Sequence, residues 1–275
     1  MDSIKKVPCA KCNGRGIIAY SFDNGISCES CRECHGEGYH FAPVTIADNI
    51  RSMNDEDLAG ELLNYYTAEQ LRMHFINASL SEQSVGFEPK SVMNPEAVKN
   101  GEFDTVLYEG NLLTNVYNRL VRSCLYTLQK HFDNKMPEGK VSDEVLAKAE
   151  EVILSYEDLM FHNKFDKIFE LLNIYLRDAN KAWAAKSREA DANGDMDLRA
   201  QLIIDSLHVV KVLATLFHPF APKGCDMVLE YLNLSDEIYS WDYIFEAVTE
   251  RIKPAHEFKF LPPKTDFFTK HESQY

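Results

Sequence analysis

The chain has 275 residues and a mass of 31.5 kDa, with 45% hydrophobic and 26% charged residues, a composition that fits one large or two unequal folded domains. Its formal charge of −14, from 43 acidic against 29 basic residues, excludes a general nucleic-acid coat, whose affinity rests on neutralising phosphates, so any nucleic-acid role must use a local patch. No unbroken apolar stretch approaches the ~20 residues of a membrane span, and Met1 opens no basic-then-apolar leader, so the expectation is a cytosolic protein with no membrane partner.

Residues 1–45 carry as many bases as acids, which places the whole acidic excess downstream. Five of the seven cysteines fall there too, at 9, 12, 28, 31 and 34. Cys9-Ala-Lys-Cys12-Asn-Gly14-Arg-Gly16 and Cys31-Arg-Glu-Cys34-His-Gly36-Glu-Gly38 are two copies of CxxCxGxG. Each CxxC bend offers two thiolates, so two copies complete a tetrahedral zinc shell, and the trailing glycines let backbone amides turn towards the sulfurs. The reading is one Zn(2+) held by Cys9, Cys12, Cys31 and Cys34, with Cys28 and His35 as competing donors. A closed four-thiolate shell staples a segment and leaves no open position for chemistry. Ile17 to Phe22 reads as a strand and Asp23-Asn24-Gly25 as a turn, so the site should cap a small β-hairpin. The pattern resembles the zinc repeats of DnaJ-type co-chaperones and the one-zinc knuckles of phage and bacterial proteins. With two repeats and no His-Pro-Asp loop, a co-chaperone role is not expected.

Residues 46–80 turn helical, with Ile46, Ile50, Met53, Leu58, Leu62 and Leu63 at helical intervals and a second stretch from Ala68 to Leu80. Residues 81–101, with Gly86, Pro89, Pro95 and Gly101, read as a linker into a domain spanning 102–275.

That domain reads as four or five helices. Leu107 to Phe132 is the first, Ser142 to about His162 the second, and about Asn163 to Lys186 the third. Asp195 caps a fourth that runs to Phe217 and is apolar nearly all round, so it should be the buried centre, and Pro219 and Pro222 bracket the start of a fifth. Short connections without strand patterns specify an up-and-down bundle. The fold class is therefore mainly α: a small zinc-bound β-hairpin knuckle, then helices, then the bundle. His208 on the central helix reads as a core histidine, and Cys124 and Cys225 as packed thiols.

Four phrases appear in an order that resembles the anticodon-binding domain of methionyl-tRNA synthetases. They are Leu128 to Pro137, the run from Asn163 to Lys181, Leu216-Phe217-His218-Pro219-Phe220-Ala221-Pro222 with Val228, Tyr231 and Leu232, and the tail from Trp241 through His256 and Pro262-Pro263 to Phe267-Phe268. The resemblance implies tRNA, or a tRNA-like RNA, as partner. It also implies that Asn118, Arg119 and Arg122 on the first helix, with Asn180 and Trp183 on the third, are the groups facing bases, Trp183 being either a stacking platform or a core residue. Lys130, Arg177, Lys181 and Arg188 extend this set into a basic strip on the same two helices.

The nucleotide-binding sheet, the His-Ile-Gly-His-like motif and the Lys-Met-Ser-Lys-Ser-like loop of a class I synthetase do not occur in these 275 residues. The expectation is a non-catalytic RNA-binding protein. The alternative is a protein-interaction module that docks through knuckle and bundle surfaces.

Overall fold

The computed structural model describes residues 60, 62–78 and 107–274, together with the backbone of four short strands between residues 4 and 43. It divides into two units, Met1–Glu61 and Leu62–Tyr275.

In the first unit, β1 (Ile4–Pro8) pairs antiparallel with β4 (Tyr39–Pro43), and β2 (Ile17–Phe22) with β3 (Gly25–Ser30). The β-branched and aromatic run of β2 suits a pleated ribbon. Phe22 stands opposite Gly25, so this is the hairpin expected around residues 23–25. Cys28 lies within β3, in register with Ala19, while Pro8 faces Tyr39 and Ile17 faces Ser30. The four expected zinc ligands, Cys9, Cys12, Cys31 and Cys34, lie outside the described residues, as do 46–59 and 79–106.

The second unit begins before the bundle. Helix α1 (Ala68–Asn77) opens on a capping box in which Thr67 Oγ1 accepts from the Gln70 amide and Gln70 Oε1 accepts from the Thr67 amide. Its side chains are tied to distant parts of the unit. Glu69 Oε1 accepts from the Gly224 amide at 3.0 Å, and Glu109 is shared between His74 Nδ1 (3.2 Å) and Asn77 Nδ2 (2.8 Å). Sequence periodicity put this helix in a segment apart from the bundle; in the structure it packs as part of the bundle's own unit.

The bundle proper starts with one helical turn, Tyr108–Asn111, and a π-helical stretch, Leu112–Tyr117, which lead into α2 (Asn118–His131). Then follow α3 (Asp143–Phe161), α4 (Phe165–Asn193), α5 (Met196–Phe217) and α6 (Pro222–Leu232). Asp195 caps α5 by accepting from the Leu198 amide, Pro222 sits in the first turn of α6, and Gly194 ends α4 at φ 63°, a left-handed conformation that costs glycine least. The expected helices are all present. The third runs seven residues beyond Lys186, because Ala190 is buried and Asp191 is held by Arg199 at 2.6 Å.

Helix α5 is the centre, in contact with α2, α3, α4 and α6. By length and composition it could cross a membrane, yet 89% of its most apolar window is buried inside the bundle, so that surface is consumed by packing. Two of its buried polar side chains are tied to the segment that follows α6. His208, 1% exposed, accepts the Val248 amide on Nδ1, and Lys211 donates to the carbonyls of Tyr243 (2.6 Å), Ile244 (3.1 Å) and Glu246 (2.6 Å), pinning the segment that follows α6. Cys124 and Cys225 are fully buried thiols, with pKa values pushed up by burial.

The C-terminal tail returns along α2. Leu261 donates its amide to Gln129, Tyr126 donates to the Pro262 carbonyl, and Arg122 pairs with Asp266. The Phe268 ring stacks on Tyr117 at 5.1 Å and lies where a Cβ on Gly224 would meet it at 2.1 Å, so only glycine fits there.

Candidate nucleic-acid interface

The residues singled out in the sequence separate into two groups once placed on the bundle. Asn118 is fully buried: its Oδ1 accepts from the Phe267 and Phe268 amides, and its Nδ2 donates to the Thr114 and Phe268 carbonyls. Trp183 is 9% exposed and packs in the hydrophobic core, as its packing reading expects. Asn180 Nδ2 donates to the carbonyls of Val116 (3.2 Å) and Leu176 (3.1 Å), fixing α4 against the π-helical entry to α2. Arg122 is engaged by Asp266 at 2.6 Å, so the chain's own tail neutralises it. These four residues make contacts that hold the bundle together, and two of them, Asn118 and Trp183, are buried.

The second group faces outwards. Arg119 is exposed and held by Asn115 Oδ1 at 3.1 Å. On α4, Arg177 is braced by Asn173 at 2.7 Å, Arg188 by the Ala184 carbonyl at 2.9 Å, and Lys181 by Asp178 at 3.2 Å in a pair open to solvent. With about 100° between successive helical residues, Arg177, Lys181 and Arg188 fall within about 40° of one another, on the side adjoining the Asn180 contact with α2. Surface ion pairs such as Lys181 with Asp178 contribute little, so this lysine can exchange its partner for a phosphate.

Further along, Lys130 is exposed, and Arg199, His131 and Asp191 gather near it. The His131 imidazole is held below its usual range, first by loss of solvent and then by the positive charges of Arg199 and Lys130, while the Arg199 hydrogen bond holds Asp191 below the usual carboxylate range. Basic side chains thus stand on α2 (Arg119, Lys130) and α4 (Arg177, Lys181, Arg188), interspersed with Asp178 and Asp191, in a protein of net charge −14.

Comparison with known proteins points to one group. The matches are methionyl-tRNA synthetases, covering the C-terminal part of the chain. The methionine–tRNA ligase of Phocaeicola vulgatus is 31% identical over 159 residues, which is 55% of this chain and 23% of that protein. Methionine–tRNA ligase 1 of Alkaliphilus oremlandii is 22% identical over 186 residues, 66% of this chain and 31% of that one. The crystal structure of the apo methionyl-tRNA synthetase of Mycobacterium tuberculosis superposes with a TM-score of 0.57 at 18% identity, covering 80% of this chain and 41% of the synthetase, and so shares the fold. The chain spans between 17% and 31% of the length of the curated synthetases it matches. No family model matches it.

A different surface lies on the far side of α3. Two cavities of about 370 and 390 Å³ follow each other along that helix, one beside Ile153 and Phe245, the other beside Tyr156, Met160 and Trp241. Trp241 and Phe245 are 37% and 42% exposed and meet edge to face at 6.3 Å. Glu150 and Glu157 line the cavities, and among the described residues no lysine or arginine does. Nothing in the sequence marked this groove, because its two walls are about ninety residues apart in the chain. Among the described residues no cluster of histidine, cysteine and carboxylate side chains forms a metal site.

Proposed function

We propose that the chain binds a tRNA or a tRNA-like RNA through the exposed edge of α2 and α4, without catalysing aminoacylation. The observation that carries this reading is the alignment of Arg177, Lys181 and Arg188 on one side of α4, with Arg119 exposed on α2, in a bundle similar to methionyl-tRNA synthetases. Clustered cations on one face let an acidic protein bind phosphates locally. Base recognition in this reading does not use Asn118 or Trp183 and rests on backbone and shape. Lacking the class I ATP-handling motifs, the chain is read as non-catalytic and should give no methionine-dependent ATP–pyrophosphate exchange, alone or with tRNA. The first unit is read as a structural module in which Cys9, Cys12, Cys31 and Cys34 hold one zinc, and the whole as a cytosolic protein.

The test is a gel shift of the full chain against total tRNA, with Arg119→Gln, Lys181→Gln and Arg188→Gln singly and together. Binding at or below micromolar concentration that weakens stepwise supports the reading. Absence of a shift at low salt overturns it, as does exchange activity for the non-catalytic part.

A second reading, docking of a protein partner, has its own support in the acidic aromatic groove along α3. Its chemistry fits an amphipathic segment with large apolar residues and lysine or arginine, and Trp241→Ala should abolish that binding while leaving tRNA affinity intact.

A further inference from the structure

The cavity of about 390 Å³ in the α3 groove is walled largely by aromatic rings. Tyr156, Glu157 and Met160 line it from α3. Tyr239 and Trp241 line it from two short 3₁₀ turns, Asp236–Tyr239 and Trp241–Tyr243, in the segment that follows α6. The volume lies within the roughly 300–1,000 Å³ of small-molecule sites.

Each wall offers what its polar end leaves over. Trp241 is 37% exposed, lies 6.5 Å from the Tyr156 ring and meets Phe245 edge to face, so its indole is open to solvent. The Tyr156 hydroxyl donates to the Leu216 carbonyl at 3.0 Å, and the hydroxyl of the half-buried Tyr239 is itself buried. Both tyrosines therefore turn their polar ends into the protein. His218 stacks on Tyr239 at 3.9 Å and its Nε2 pairs with Asp226 at 3.3 Å, so any proton the imidazole takes up is matched by that carboxylate. Glu157 is exposed and forms no ion pair among the described residues, and no lysine or arginine among them lines the cavity.

Aromatic faces carry negative potential that attracts cations, indole most strongly, and the Glu157 carboxylate has the same sign. A primary ammonium brings three N–H donors, each in need of an acceptor. Apart from Glu157, the lining side chains supply rings, a thioether and hydroxyls that are buried or turned to backbone carbonyls. A quaternary ammonium has no donor to satisfy.

We infer that this cavity binds a quaternary ammonium cation, held against the Trp241 and Tyr239 rings with Glu157 as its counter-charge. Such a group occurs on small molecules and on trimethylated lysine of other proteins. The second source rests on the docking reading of the groove; the first does not.

The full chain is titrated with choline, with neohexyl alcohol as its uncharged carbon isostere, and with a short peptide carrying one trimethyl-lysine, while NMR follows the resonances around the cavity. Choline should bind with a Kd of about 1 mM or tighter, and the isostere about tenfold more weakly or worse, as expected when the cation–π attraction is lost. Trp241→Leu, which keeps an apolar wall, should weaken choline about tenfold without a marked fall in Tm. Glu157→Gln, at an exposed position, should weaken choline about two- to fivefold and leave the isostere unchanged. No shift around the cavity at about 10 mM choline would overturn the proposal. So would equal binding of choline and the isostere, or wild-type choline affinity in both variants. Tighter binding of the peptide than of choline assigns the cation to a protein, and equal affinity assigns it to a small molecule. A basic amphipathic peptide that enters the groove while choline does not would overturn the cation site and leave the docking reading standing; choline bound with no peptide bound does the reverse.

Discussion

Asn118 and Phe268, 150 residues apart, are joined by a two-way hydrogen bond: the asparagine Oδ1 accepts from the Phe268 amide at 3.0 Å and its Nδ2 donates to the Phe268 carbonyl at 2.8 Å. The side-chain amide thus acts as a strand partner for the tail and closes it onto α2 in a fully buried place. Asn118→Ala leaves the buried tail amides unpaired, each a loss of roughly 1–3 kcal/mol. A destabilisation of about 2–4 kcal/mol is expected in urea unfolding. Gly224→Ala should release the same tail by driving a methyl group into the Phe268 ring, at a cost of roughly 1–3 kcal/mol. Both variants retaining wild-type stability would show that the tail is not part of the folded unit.

Trp183 gives a second stability test. Truncation to alanine removes a large side chain from the core and should cost about 3–5 kcal/mol. A surface platform would instead lose RNA affinity with Tm unchanged, which is the outcome that contradicts the buried placement.

His208 predicts a pH dependence. Burial, and next the charge of Lys211, lower its pKa from 6.5 to about 3 in the folded state. The unfolded chain binds a proton below pH 6.5 that the folded chain refuses, so stability falls as pH drops from about 6.5 towards 3, and it is complete above that window. The accepted Val248 amide agrees with a neutral ring. Between pH 7 and pH 5 the loss from this group is about 2 kcal/mol. His208→Gln should flatten that part of the profile relative to wild type in urea unfolding. An unchanged slope would show that the imidazole titrates normally in the fold.

How much of this was legible in the sequence follows from where each signal sits. Some helix boundaries were readable because their causes are local: Asp195 and Pro222 act within a turn of where they stand, whereas the end of α4 at Gly194 was missed by seven residues. Even so, Ser142 marks the start of α3 with its hydroxyl spent on Asp205 rather than on capping the helix. The faces of Asn118, Arg119 and Arg122 could not be read, because the π-helical stretch Leu112–Tyr117 breaks the 3.6-residue period just before them. Arg122 looked like a free cation because Asp266 is 144 residues away in the chain. The basic edge was partly legible from the spacing of Arg177, Lys181 and Arg188. The acidic groove was not, because Ile153 and Tyr156 on α3 meet Phe245 and Trp241 from a distant part of the chain.

The zinc proposal predicts one metal ion per chain by elemental analysis. Cys9→Ser or Cys34→Ser should abolish it, and Cys28→Ser, on a residue within β3, should not. Since the structure falls into two units, loss of metal should leave the helical melting transition of residues 62–275 in place. Zinc retained in Cys9→Ser but lost in Cys28→Ser would assign the ligands differently.

The most direct measurement of the central claim is the salt dependence of tRNA binding by the full chain and by the triple variant Arg119→Gln, Lys181→Gln, Arg188→Gln. If these side chains neutralise phosphates, log Kd against log salt should be steep in wild type and shallower by roughly 0.7–0.9 for each base removed, about two to three units in all. A triple variant that binds tRNA with the wild-type affinity and slope would contradict the assignment of RNA binding to the α2–α4 edge.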